Sequence, residues 1–241
     1  MSRSAGVDAN VLVPVQGMPC LQRVLTTLAA TASVQPAVVV GPAASIMKAH
    51  GEIAQWLAQT GFRWLPPQPG PAASGLAGLE QVSQPTLLTT GDHALLTPAI
   101  VNRFIADAAA LKADFVVGLV PYENVRARYP QSRRTVLRFS DGGFCGSNLF
   151  AIITPAGADA LRLWRRFEAD RKKPWKIAHG LGPGLLLRYL LRLASVDDAM
   201  QVLSERAGCR IRCAKIEDCH AAIDVDSEAD WQLAEKILSE H

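Results

Sequence analysis

Asp92 is the first residue in this chain whose type and position suggest chemistry. It follows the apolar run Thr86-Leu87-Leu88-Thr89-Thr90 and a glycine, Gly91. A run of that length, bounded by turn residues, reads as a buried strand. Gly91 is expected to let the backbone turn so that Asp92 projects at the strand's carboxyl end. A carboxylate there is placed to hold magnesium against a nucleotide's phosphates, because that ion prefers hard oxygen ligands. The same position equally suits an aspartate that closes a turn or caps a helix.

A second acidic stretch lies far downstream: Ile223-Asp224-Val225-Asp226-Ser227-Glu228-Ala229-Asp230. Its apolar alternation predicts a strand over 222–225, with Asp224 and Asp226 on one side of it. Ser227 and Asp230 have the spacing of a capping box and are assigned to the start of the last helix. Asp224 and Asp226 are not needed for that cap. At least one of them is therefore available to a metal beside Asp92.

The elements that position these acids alternate between strand and helix. Strands are expected at 11–15, 37–40, 62–65, 86–90, 115–120, 144–153, 211–216 and 222–225. Helices are expected from Pro19 onward, then at 46–59, 75–82, 98–112, 155–170, 185–193 and 230–238. The segment 66–74 holds four prolines and a glycine and reads as a loop. The segment 126–138 reads as irregular and basic. Strands joined by helices of this length imply crossover connections and a sheet covered on both faces. Ligands of such sheets bind beyond the carboxyl ends of the strands, where Asp92 lies.

Bulk properties exclude several classes. The chain has 241 residues, 49% of them hydrophobic, which suits a single α/β domain over 1–241. A net charge of +3 gives no reason to expect nucleic-acid binding. No run is apolar enough to span a membrane, and Met1 to Asn10 lacks a signal-peptide core, so a cytoplasmic protein is expected. Five cysteines are spread along the chain, and Cys209, Cys213, Cys219 and His220 match no paired zinc spacing. They are assigned as small structural residues.

Taken together, these motifs resemble the MobA-like nucleoside-triphosphate transferases. The resemblance rests on Gly91-Asp92, on Asp224-Val-Asp226-Ser-Glu-Ala-Asp230, and on Val11-Leu-Val-Pro-Val-Gln-Gly-Met-Pro19 with its Arg23 helix. Pro71-Ala-Ala-Ser74-Gly75-Leu76 is similar to the family's loop near the base. Gly142-Gly-Phe-Cys-Gly146-Ser-Asn148-Leu-Phe150 is similar to its acceptor-contacting strand. The resemblance implies an α/β fold, a three-layer α/β/α sandwich around a mostly parallel mixed sheet, like the nucleotide-diphospho-sugar transferases. It implies Asp92 and Asp226 as the catalytic metal pair, with Asp224 as an alternative ligand. It implies Mg2+ as cofactor, a nucleoside triphosphate as substrate, and a phosphate- or hydroxyl-bearing acceptor. Ser74, Gly75, Gly91, Gly146, Asn148 and Arg23 are the expected nucleotide and acceptor contacts.

Two departures from the family pattern carry expectations of their own. The family's first strand and glycine-rich, arginine-bearing loop have no full counterpart in Met1 to Ala9, which hold only Gly6 and Arg3. The family's lysine before the Leu-Val-Pro-Val run is replaced by Asn10-Val11. The sheet is then expected to lack a central strand, with either an upstream start or a weakened triphosphate site. Arg3 and Arg23 are candidate substitutes. A nucleotide-binding protein without catalysis is thus an alternative reading. A glycosyltransferase is another, although Asp92-His93-Ala94 lacks the second aspartate of that group. The basic runs 126–138 and 162–176 are read as solvated faces. The second, joined to 185–193, would also suit peripheral membrane contact and a lipid-linked acceptor.

Overall fold

The computed structural model describes residues 10–169 and 183–240. The expectations about the N-terminal loop, including Arg3, and about the basic run 171–176 lie outside the described residues.

The organising strand is β6 (Phe115–Pro121). It pairs antiparallel with the long β8 (Gly142–Ile152) and parallel with β9 (Ile211–Lys215). On its far side β8 takes β5 (Thr86–Leu88), also antiparallel, and β7 (Leu137–Phe139) pairs with its first residues. The sheet is mixed, as expected. Its parallel pairs are β6–β9 and the separate β3 (Val38–Val40) with β4 (Arg63–Leu65). The parallel share is smaller than the sequence suggests because β8 runs against all three of its neighbours.

Alternation along β6 builds the three layers. Val116 and Val120 join a core with Val24 and Leu28 of α1 (Cys20–Ala30) and with Ile100, Val101 and Phe104 of α5 (Pro98–Ala110). Phe115 and Leu119 face the other way. They meet Leu79 of α4 (Pro71–Leu79), Leu161 of α7 (Ala158–Ala169) and Met200 of α9 (Val196–Ala207). Both faces of this strand are buried, which is why it reads as a continuous apolar run.

The expected break in the sheet falls between β3 and β5. Among the described residues these strands share no hydrogen-bonded pairing, and all six of their residues are only half-buried. Helix α4 bridges them. A Cβ on its Gly78 would sit 3.0 Å from Val40, and one on its Gly75 would sit 3.3 Å from Leu88.

Several element boundaries correct the sequence reading. Residues 46–59 are two helices, α2 (Ala44–Ala49) and α3 (Glu52–Thr60), interrupted at His50-Gly51 where glycine weakens the helix. Helix α4 starts at Pro71, four residues before the expected start, because proline fits the first helical position without wanting an N–H partner. The irregular segment holds α6 (Tyr122–Arg128) and β7. The apolar segment 185–193 contributes the shorter α8 (Pro183–Leu190). Helix α9 was not expected, although the Ser195 capping box with Asp198 and the left-handed Gly208 at its end announce it. Residues 222–225 are not a strand. Cys219–Ala222 form a 3-10 turn, and the chain then runs extended without a ladder partner.

The two ends of the described chain are clamped together. The hairpin β1 (Pro14–Val15) and β2 (Met18–Pro19) turns at Gln16 and Gly17, both with positive φ. The Gln16 N–H donates to Glu235 Oε1 at 2.7 Å, and Trp231 Nε1 donates to the Pro14 carbonyl at 2.8 Å. Both partners lie on α10 (Glu228–Ser239).

Phe104 is 0% exposed at the centre of the α1–α5 layer. Phe104→Ala is expected to cost about 3–5 kcal/mol, read as a lower denaturant midpoint with an unchanged slope.

Candidate active site

Asp92 leaves the carboxyl end of β5, as the sequence implies, and is half-buried. Gly91 opens the turn that presents Asp92, as expected, although its φ is not positive; a Cβ there would also meet Leu21 at 3.2 Å and Val11 at 3.3 Å. Glycine lets the strand end pack against α1. The Thr90 hydroxyl donates to Asp92 Oδ1. Burial pushes the Asp92 carboxyl up, Thr90 pulls it down, and the charge of Asp224 adds to the rise.

The downstream acids come to the same place. The Val225 N–H donates to the Asp92 carbonyl at 3.1 Å. Ile223 and Val225 are fully buried, so Asp224 and Asp226 face the other way, as the alternation implies even without a strand. Asp226 is exposed, and its carboxyl is pushed up by burial and then by the charges of Asp224 and Asp92. Ser227 and Asp230 form the expected capping box at the start of α10.

Asp224 is already engaged. Arg134 NH1 donates to its Oδ1 at 2.6 Å, and Asn148 Nδ2 donates to its Oδ2 at 3.0 Å. The other arm of Arg134 pairs with Asp230. The Arg134 side chain is only 8% exposed. It corrects the reading of 126–138 as a wholly solvated face, and sequence reasoning gave it no role. The signal was faint: five arginines with no acid among them leave their partners to be found elsewhere in the fold.

Asn148 reaches Asp224 through a bulge. The register of β6 on β8 jumps between Val117 and Leu119, and Asn148 takes φ +53 there. The Ser147 hydroxyl donates to the Gly118 carbonyl and secures the bulge. Gly146 opens onto free space, with nothing within 4 Å of an added Cβ.

The remaining expected contacts serve the scaffold. Arg23 donates through Nε and NH2 to the Val15 carbonyl at 2.9 and 2.6 Å, bracing the first hairpin. Ser74 accepts the Gln68 N–H at 3.0 Å within the proline-rich loop. Gly75 is buried where α4 crosses Leu88. The structure brings Asp92, Asp224, Asp226 and Asn148 together; Ser74 and Gly75 belong to the neighbouring α4, and Arg23 to α1.

His93 follows Asp92 directly and is 1% exposed, and neither ring nitrogen has a well-formed hydrogen bond. Burial holds it neutral by lowering its pKa to about 4, against smaller opposing pulls from the His220 carbonyl and Asp224.

The MobA-like NTP transferase domain matches residues 2–207. The chain belongs to that family. A hypothetical transferase from Thermus thermophilus is 32% identical, with 95% of this chain and 93% of that one aligned at a TM-score of 0.79. The synthetase of CMP:2-keto-3-deoxy-manno-octonic acid, solved with CTP, shares the fold at 12% identity and TM-score 0.59, over 96% and 92% of the two chains. Molybdopterin-guanine dinucleotide biosynthesis protein A from Archaeoglobus fulgidus does so at 13% identity and TM-score 0.52, over 96% and 91%. No curated protein sequence matches the chain.

Two outcomes follow from this geometry. Arg134→Met leaves two carboxylates without their buried partner and is expected to cost about 3 kcal/mol, seen in denaturant unfolding. Arg134→Lys is expected to restore little, because one ammonium cannot copy the guanidinium's two separate arms. For His93, the folded pKa lies below the ordinary 6.5, so its contribution is complete above pH 6.5 and is lost as pH falls towards about 4. Melting curves from pH 7 to 4 are expected to fall less steeply in His93→Leu than in the parent.

Proposed function

We propose that this MobA-like protein transfers a nucleoside monophosphate from a nucleoside triphosphate to a phosphate- or hydroxyl-bearing acceptor, with Mg2+ held by Asp92 and Asp226. The observation that carries the reading is the hydrogen bond from Val225 to the Asp92 carbonyl. It ties a strand-end aspartate to a distant acidic segment at the carboxyl edge of the sheet, where α/β folds bind ligands.

The donor set fits the ion. Asp92 and Asp226 offer hard oxygens, and each carboxyl is pushed up first by burial and then by neighbouring negative charge. Asp224 is neutralised by Arg134 and therefore positions the segment rather than serving as a ligand. When bound, the cation would supply charge neutralisation on the triphosphate. The chain's own contribution is placement. The acceptor oxygen forms a bond to the α-phosphorus as the bond to the β-phosphate bridging oxygen breaks, and pyrophosphate leaves with the electron pair. Asn148 and the open space at Gly146 border the side from which an acceptor would approach. The exposed Leu187, Leu190, Leu191 and Leu193 would suit a lipid-linked acceptor.

A second reading keeps nucleotide binding without transfer. It is favoured by one observation: Arg23, the candidate substitute for the family's loop arginine, is committed to the Val15 carbonyl.

Melting with each nucleoside triphosphate and magnesium tests the site. One nucleotide is expected to raise Tm by about 5–10 °C at a hundredfold excess over its Kd. No shift with any of them overturns both readings, and a shift without pyrophosphate release selects the second. Asp92→Asn is expected to lower pyrophosphate release on the order of a hundredfold. The same variant tests linkage. A carboxyl with a raised folded pKa costs stability as pH rises through that pKa, so Asp92→Asn is expected to melt higher than the parent in magnesium-free buffer at pH 7.

A further inference from the structure

The sequence reading set aside Cys219 and His220 as structural, yet the fold makes a cluster of them that the acidic pair does not use. Among the described residues, the group of three or more His, Cys, Asp or Glu side chains whose ligand atoms all lie within 4.8 Å of one another is Asp218, Cys219 and His220. These residues converge because Asp218 caps the 3-10 turn Cys219–Ala222 and folds its carboxylate back onto His220. Asp218 caps this turn: its Oδ1 accepts the His220 N–H at 2.9 Å and faces His220 Nδ1 at 2.9 Å.

We infer that Asp218, Cys219 and His220 form a zinc site, with Tyr129 as its outer support and a water in the fourth position. The donor set is one thiolate sulfur, one imidazole nitrogen and one carboxylate oxygen, a mixture that suits zinc and not magnesium. Zinc bond lengths place tetrahedral ligand atoms roughly 3.3–3.7 Å apart, within the 4.8 Å that bounds these atoms, and the 2.9 Å contact between Asp218 Oδ1 and His220 Nδ1 would have to open to admit the ion. The other face of the imidazole is already supported. His220 Nε2 lies 2.8 Å from the Tyr129 hydroxyl. With zinc on Nδ1, the ring proton sits on Nε2 and donates to the Tyr129 oxygen, the outer hydrogen bond that metal-bound histidines commonly make. The Cys219 thiol proton passes to solvent as the sulfur–zinc bond forms. Burial and then the charge of Asp218 push the Cys219 thiol up, against a smaller pull from Arg128 beside Tyr129, so the thiolate would depend on the metal's own charge.

The site is coupled to the acidic segment by the chain itself. The His220 carbonyl accepts the Ile223 N–H at 3.1 Å, and Asp224 and Asp226 follow directly. Zinc would staple the turn that delivers them. This inference stands apart from the nucleotide reading, because it uses none of the same ligands.

The test is zinc retention by the full chain, after chelator stripping, reloading with zinc and gel filtration, measured by elemental analysis. One zinc per chain is expected in the parent and in an Asp92→Asn, Asp226→Asn double variant. Cys219→Ser and His220→Ala are expected to lose it, and Tyr129→Phe is expected to bind about 10- to 100-fold more weakly. Cobalt in place of zinc is expected to give a sulfur-to-metal charge-transfer band that disappears in Cys219→Ser. Circular dichroism identifies any variant that has failed to fold, and the conservative Cys219→Ser then carries the test. No retention by the parent overturns the site. So does equal retention by Cys219→Ser, or loss only in the Asp92 and Asp226 double variant.

Discussion

One backbone hydrogen bond organises the functional edge of this protein. The Val225 N–H on the Asp92 carbonyl joins the end of a sheet strand to a segment that belongs to no sheet. Everything nearby holds that contact in register. Ile223 and Val225 fill the core beneath it, and the capping box of α10 stops the segment just beyond it. Arg134 prevents the acids from repelling one another apart. A buried guanidinium between two carboxylates adds little net stability over an apolar packing, but it fixes where those carboxylates point.

The bulge in β8 is a second instance of the same economy. A regular ladder would bury Asn148 or turn it away from the acids. The extra residues let it reach Asp224 from a left-handed conformation that asparagine tolerates better than most. Ser147 satisfies the carbonyl that the bulge would otherwise orphan. Strained backbone and acidic side chains thus meet at one place, as functional sites often require.

The sequence made the scaffold and the acid pair legible, for different reasons. Strand β6 and helix α5 announced themselves through continuous and periodic apolar residues that the layers bury. Asp92, Asp224 and Asp226 could be singled out because strand ends and capping boxes have local signatures, and the fold brings their segments together. Arg134, His93 and the Asp218–His220 turn were not, because their meaning depends on contacts with residues distant in sequence. Arg134 meets Asp224 at a separation of 90 positions. Gly91 was legible only in half: local reasoning gave it its turn, but not the room that its missing side chain leaves for Val11 and Leu21. The family assignment drew on the order of several motifs, and the 2–207 match covers those up to Phe150, with the Asp224–Asp230 motif lying beyond it.

The clamp between the first hairpin and α10 has a consequence for biosynthesis. Gln16 and Glu235 meet across 219 positions of chain. At ribosomal speed, β5 and Asp92 emerge on the order of ten seconds before Asp226 does. Throughout that interval Asp92 has no acidic partner, and the hairpin has no helix to rest on. The acidic edge and the clamp on the first hairpin therefore both wait for residues 224–239.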